Sequence, residues 1–107
     1  MRALLRRTAP PRLDGGPLEV REAEHDVYAH GRPLGLTEVE FELFVALLEA
    51  GDAAVGRDRL FERVLGRGWD GLNRTVDVHV SKLRHKLGPH GDVRAARGVG
   101  YRLWIRR

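Results

Sequence analysis

The chain has 107 residues, no cysteine and a formal net charge of +4. That length suits one domain around one core, and the lack of thiols excludes disulfides and thiolate metal sites. No apolar run approaches the roughly 18 residues of a membrane helix, and Ala3-Leu4-Leu5 falls short of the about 7–15 apolar residues of an export signal. A protein of the reducing cytoplasm, without a membrane partner, is therefore expected.

The charge is unevenly spread. Residues 1–16 hold four Arg and one Asp, net +3, and residues 17–72 hold six Arg and twelve acids, net −6. Residues 73–107 hold nine basic residues and two acids, net +7. This polarity points to an anionic partner for the last third. Only two of the nineteen basic residues are Lys. A codon bias explains that preference, but not why the acids avoid the C-terminal third.

"MRALLRRTAPPRLDGGP" passes from a short basic, helix-like scrap into Pro-Pro and Gly-Gly, a linker composition. Residues 1–16 are read as a linker or the tail of a preceding domain, and residues 17–107 as the folded domain. In "LEVREAEHDVYAHGRPLG", Leu18 and Val20 alternate with Glu19 and Arg21, the period of a half-buried strand. His30-Gly31 fits a two-residue hairpin turn between Val27-Tyr28 and Arg32-Pro33-Leu34. Pro33 confines its strand to an edge or an end. A small antiparallel sheet is expected.

"LTEVEFELFVALLEAG" is the clearest helix. Thr37 and Glu40 have the spacing of a capping box, and Gly51 closes the far end. Phe41, Leu43, Phe44, Leu47 and Leu48 form a broad apolar arc opposite Glu38, Glu42 and Glu49, as expected of a central core helix. Glu40 falls inside the arc, where capping accounts for it. "RDRLFERVLG" is a shorter helix with Leu60, Phe61, Val64 and Leu65 expected inside. "GRGWDGLN" is a glycine-rich loop, and Asn73 offers an N-cap for the next helix.

That helix, "RTVDVHVSKLRHKL", has two faces. At about 100° per residue, Val80, Leu83 and Leu87 fall within roughly 40° of Val76 and make one apolar stripe. Arg74, Thr75, Val78, Ser81, Lys82, His85 and Lys86 are assigned to the far half, with His79 and Arg84 on the flanks. Cations, a hydroxyl and a small apolar group are what a DNA major groove accepts. The plainer reading is a solvated charged face. Three features favour the groove: a preceding helix joined through a Gly-containing loop, a basic hairpin behind, and acids placed elsewhere. In that hairpin, "VRAARGVGYRLWI", Gly98 and Gly100 mark a tight turn. Tyr101, Leu103 and Ile105 alternate with Arg102, Trp104 and Arg106.

Five histidines show no metal-ligand spacing. Ser81 has no base-and-orienter arrangement with His79 or His85. "RGVGYR" does not open a helix, as a nucleotide loop must. Neither an enzyme nor a metal protein is expected, and no cofactor is implied.

The pattern Arg74, Val76-Asp77-Val78-His79, Leu83-Arg84, Lys86-Leu87 and Arg97-Gly98-x-Gly100-Tyr101 resembles the winged-helix effector domain of OmpR/PhoB-class bacterial response regulators. "LTEVEFELFVALL" resembles the first helix of that family, and the similarity runs from about Leu18 to Ile105. The resemblance implies an α+β winged helix-turn-helix: an N-terminal antiparallel sheet, three helices and a C-terminal hairpin wing. It implies that Asn73–Leu87 is a recognition helix, with Arg74, Thr75, Val78, His79, Ser81, Lys82 and Arg84 towards double-stranded DNA. Arg97 and Gly98 at the wing tip, and Tyr101 at its base, would meet the adjacent minor groove and backbone. The Tyr101 ring is read mainly as core, with a hydroxyl able to reach phosphate. Gly68, Trp69 and Asp70 match a loop that contacts RNA polymerase in relatives; Trp69 folded back on the core is the other reading.

The resemblance further implies transcriptional regulation on tandem half-sites by a head-to-tail dimer. It also implies a phosphoryl-accepting receiver domain, missing from this chain, and the sensor kinase that feeds it. Leu65, Ser81 and Ala95-Ala96 depart from common family residues, so the operator preference should be the chain's own. The rival class is a winged-helix protein-interaction module that uses the hairpin and Trp69.

Overall fold

Strand β1 (Leu18–Arg21) pairs antiparallel with β2 (Asp26–Ala29), placing Leu18 opposite Ala29 and Val20 opposite Val27. All four side chains are buried, so the period-2 pattern puts one face inside and the other in solvent. The computed structural model describes residues 18–51, 53–64 and 76–105. β2 turns into β3 (Arg32–Pro33) through His30 and Gly31, whose φ angles are 51° and 80°. Two positive φ values in a two-residue loop match the right-handed twist of a hairpin, so a non-glycine residue tolerates the left-handed region here. Pro33 sits at the outer edge of the sheet order β1-β2-β3, where its missing N–H costs no ladder bond. The Asp26 carboxylate accepts from the amides of Gly35 and Leu36, both at 3.2 Å, and so steers the chain from β3 into the first helix.

Helix α1 (Glu38–Glu49) starts at the expected capping box. The Glu40 amide donates to Thr37 Oγ1 at 3.1 Å, and the Thr37 amide donates to Glu40 Oε1 at 2.9 Å. It ends with Gly51 at φ 65°, its amide donating to the Leu48 carbonyl at 3.1 Å. Phe41, Leu43, Phe44 and Leu47 are sealed in the core, and Leu48 packs at its margin. Helix α2 (Arg57–Val64) follows the two-residue strand β4 (Val55–Gly56) and buries Leu60 and Val64. Arg63 clasps α2 to α1, with Nε 3.0 Å from Glu42 and Nη1 3.1 Å from Glu49. Phe61 departs from expectation: it is 39 % exposed rather than inward. Two turns of helix give only an i, i+4 pair access to the core, and Phe61 lies about 100° around from Leu60. Leu65 lies outside the described residues.

Helix α3 (Val76–Leu87) buries Val76, Val80, Leu83 and Leu87, the stripe read from the sequence. It leads through a single 3-10 turn (Gly88–His90) into β5 (Gly91–Ala96), which pairs with β6 (Gly100–Ile105). Gly98, at φ 78°, closes the hairpin. The second sheet has the order β4-β6-β5. Its strand β4 was not legible in the sequence, because two residues carry no periodicity. Gly100 explains the close join: a Cβ there would lie 1.9 Å from the Val55 carbonyl oxygen. Val93, Tyr101 and Leu103 face inward and are buried, while Arg102 and Trp104 face out. Among the described residues, then, three helices and two antiparallel sheets share one core, in the expected α+β winged-helix arrangement.

Thr37→Ala removes one acceptor of the capping box and leaves the Glu40 amide without its side-chain partner. Urea unfolding should show about 1 kcal/mol lost with an unchanged m value.

Candidate nucleic-acid interface

The apolar stripe of α3 dictates what its other side can do. With Val80 and Leu83 sealed against the core, Val78, Ser81, Lys82 and His85 are left exposed along one outward face. Arg97, Gly98 and Val99 are exposed at the tip of the β5–β6 hairpin. Arg74 and Thr75 precede the described part of the helix, and Gly68, Trp69, Asp70 and Asn73 also lie outside the described residues.

Three cations assigned to α3 have distinct settings. Lys82 is exposed. Arg84 lies against the hairpin: Nη2 donates to the Val93 carbonyl at 2.7 Å, and Nε stands 3.2 Å from an Asp92 oxygen. Its side chain is still 48 % exposed, so it holds β5 in place with part of its surface open. Lys86 does not belong to the outward half. Its Nζ donates to Glu40 Oε1 at 2.7 Å and to the Gly35 carbonyl at 2.9 Å. By the about 100° count it stands only about 80° from Val76, close enough to swing inward. Glu40 is 1 % exposed. A carboxylate so buried needs a countercharge, and Lys86 supplies it. His79, on the same flank as Lys86, is 8 % exposed and packs inward.

The base of the wing meets α3 at one carboxylate. Asp77 Oδ1 accepts from the Tyr101 hydroxyl on β6 and from Arg57 Nε, at 3.0 Å, on α2. The Arg57 guanidinium also stands over the Tyr101 ring, 5.2 Å from its centroid. The Tyr101 hydroxyl and then Arg57 hold the Asp77 carboxyl below the usual carboxylate range. Burial, followed by the bond to Asp77, raises the Tyr101 phenol. The Tyr101 ring is buried, as the core reading expected, and its hydroxyl is turned to Asp77.

Residues 31–103 match the family described as "Transcriptional regulatory protein, C terminal". The chain belongs to that family. The transcriptional regulatory protein CseB of Streptomyces coelicolor is 43 % identical over 91 residues, covering 85 % of this chain and 38 % of that protein. The chain thus spans well under half the length of that relative. The Klebsiella pneumoniae RstA DNA-binding domain, solved in complex with the RstA box, superposes with a TM-score of 0.68 at 26 % identity, covering 86 % of this chain and 95 % of that one. The DNA-binding domain of response regulator AdeR, solved in complex with an intercistronic region, gives 0.69 at 35 % identity, covering 84 % and 96 %. The chain therefore has the winged-helix fold of response-regulator effector domains.

In this member of the family, several residues that shape the interface were not singled out by sequence reasoning. The sequence assigned no role to Arg57 or Asp92, and Asp77 entered only as part of the family pattern. The spacing Asp77–Tyr101 has no periodic signal, because a hairpin intervenes. The pairing of Glu40 with Lys86 spans 46 positions and had one legible clue, an acid inside an apolar arc.

Lys86→Ala should cost about 1–3 kcal/mol, because it strips the buried Glu40 carboxylate of its cation. Lys82→Ala should stay within about 0.5 kcal/mol, as exposed changes do. Thermal unfolding of both variants checks the contrast. Asp77 has a lowered folded pKa, so its contribution is complete above its ordinary value of 3.8 and fades as pH drops through the lowered one. The stability gap between wild type and Asp77→Asn should therefore be constant near neutrality and shrink below about pH 4. Urea midpoints between pH 2.5 and 7 measure it, and a gap that stays constant throughout would exclude this linkage.

Proposed function

We propose that the chain is a sequence-specific, double-stranded DNA-binding effector domain that regulates transcription, with α3 in the major groove and the wing in the adjacent minor groove. One observation carries this reading: the exposed face of α3, bearing Val78, Ser81 and Lys82, is accompanied by a hairpin that ends in exposed Arg97. A helix of 12 residues is about 18 Å long, enough to lie along a groove roughly 12 Å wide. The RstA and AdeR domains solved with DNA support it by likeness. Arg74 and Thr75 at the helix start and Arg84 on its flank complete the proposed contact set, while Tyr101, buried and bonded to Asp77, supports the wing from its base. Val78 offers an apolar contact to a thymine methyl, while Lys82 and Arg84 suit phosphate or guanine. His79 contributes by shaping α3 from within, given its burial.

The whole-protein activity belongs to the same reading. A receiver domain and its sensor kinase would control this domain, two copies would sit head to tail on tandem half-sites, and Gly68, Trp69 and Asp70 would touch RNA polymerase. The work is binding, not enzymatic chemistry. No helix among the described residues is long and apolar enough to cross a membrane, in keeping with action on DNA in the cytoplasm.

Titrating salt against duplex binding tests the proposal. Wild type should show log K falling steeply with log[salt], and Arg97→Ala should reduce the slope by about one unit. Lys82→Ala should lower affinity for all duplexes if Lys82 holds phosphate, or relax base preference if it reads a base. A second reading, a protein-interaction module, draws on Trp104, which is 43 % exposed on the outer wing face with Arg94 over its ring at 4.9 Å. It requires weak duplex binding with a shallow slope, so the same titration separates the two.

A further inference from the structure

We propose that Asp77, the acid in the first turn of α3, is a positioning residue: it pins the wing to α3 and α2, so that the cations of helix and wing are presented at one fixed spacing. The proposal rests on the DNA-binding reading above and adds to it a residue that touches neither base nor phosphate.

Asp77 lies in the first turn of α3. Its Oδ1 takes the Tyr101 hydroxyl from β6 and Arg57 Nε from the first residue of α2. Three elements thus converge on one oxygen. Tyr101 is itself the hub of the wing sheet, opposite Ala95 of β5 and Val55 of β4. A hold on Tyr101 is therefore a hold on all three strands. Arg57 over the Tyr101 ring closes the arrangement into a triangle of two ion-assisted hydrogen bonds and a cation–π contact. The Asp77 side chain is 46 % exposed and Arg57 is 55 % exposed, so their ion pair lies at the surface, above the buried Tyr101 ring. Its loss should loosen the wing without unfolding the domain.

The wing needs such a hold. Arg97 sits in the turn, past the last strand pair, Ala96 with Gly100, so it lies beyond the pin at Tyr101. A small rotation at the base becomes a larger displacement at the tip. A misplaced guanidinium loses its groove contact, because recognition demands positioning to a fraction of an ångström.

The proposal predicts a sign that charge alone would reverse. Removing one negative charge from a DNA-facing surface should strengthen binding by simple electrostatics. If Asp77 positions the wing, Asp77→Asn should instead weaken duplex binding, roughly fivefold to tenfold, in protein shown by its thermal transition to be folded. Asp58→Asn, an exposed acid in the first turn of α2, is the charge control and should leave binding equal or slightly tighter. The deciding measurement is a double-mutant cycle with Arg97→Ala. The contribution of Arg97 should largely vanish in the Asp77→Asn background, with no further drop in the salt slope, and Asp77→Glu should restore part of it. Tighter binding by Asp77→Asn, or strictly additive effects with Arg97→Ala, would overturn the proposal. Amide exchange in the free protein tests the same hold without DNA. Asp77→Asn should speed exchange in residues 93–103 and leave α1 unchanged; unchanged wing exchange counts against the proposal. If the wild-type chain fails to bind duplex DNA, the DNA-binding reading falls, and exchange alone decides whether Asp77 fixes the wing.

Discussion

The structure depends on the seating of α3. Val76, Val80, Leu83 and Leu87 occupy one stripe, and each is buried where α3 packs on α1, α2 and the wing strand β5. Burying such side chains is worth about 1.5–3 kcal/mol apiece, far more than any single surface charge can contribute. Rotation of the helix is therefore set by grease, and the position of its polar groups follows. Ser81 and Lys82 face outward because Val80 and Leu83 cannot.

Electrostatics then works at shorter range, sorting the cations of α3 into different tasks. Lys86 neutralises the buried Glu40, and through Gly35 and the Thr37 cap it ties the end of α3 to the start of α1. Arg84 ties α3 to β5. Lys82 remains exposed beside them. A count of basic residues would have treated these three alike. Burial and reach separate them, since a long side chain near the apolar stripe finds a carboxylate or carbonyl before it finds solvent.

The wing is attached by backbone and by polar contacts together. Gly100 lets β6 approach β4 more closely than any Cβ permits. Tyr101, one residue on, sends its ring inward and its hydroxyl to Asp77. The close approach and the hydrogen bond act on adjacent residues, so the hairpin is fixed at its base while its tip, Arg97 to Val99, stays exposed.

What the sequence determined by itself was everything that local periodicity and turn chemistry can encode. The α1 capping box, the His30-Gly31 turn, the apolar stripe of α3 and the alternation of β6 each follow from residues within one or two turns of one another. The family resemblance was legible because the spacing from Arg74 to Tyr101 is itself a linear pattern. What only the tertiary structure decided were pairings between distant positions: β4 with β6, Glu40 with Lys86, Arg84 with Asp92, and Asp77 with Arg57 and Tyr101. The inward expectation for Phe61 failed for the same reason, since a two-turn helix has room against the core for Leu60 and Val64 alone. A one-dimensional pattern states which face a residue occupies; which partner waits there depends on how separate elements are packed, and no local preference carries that information.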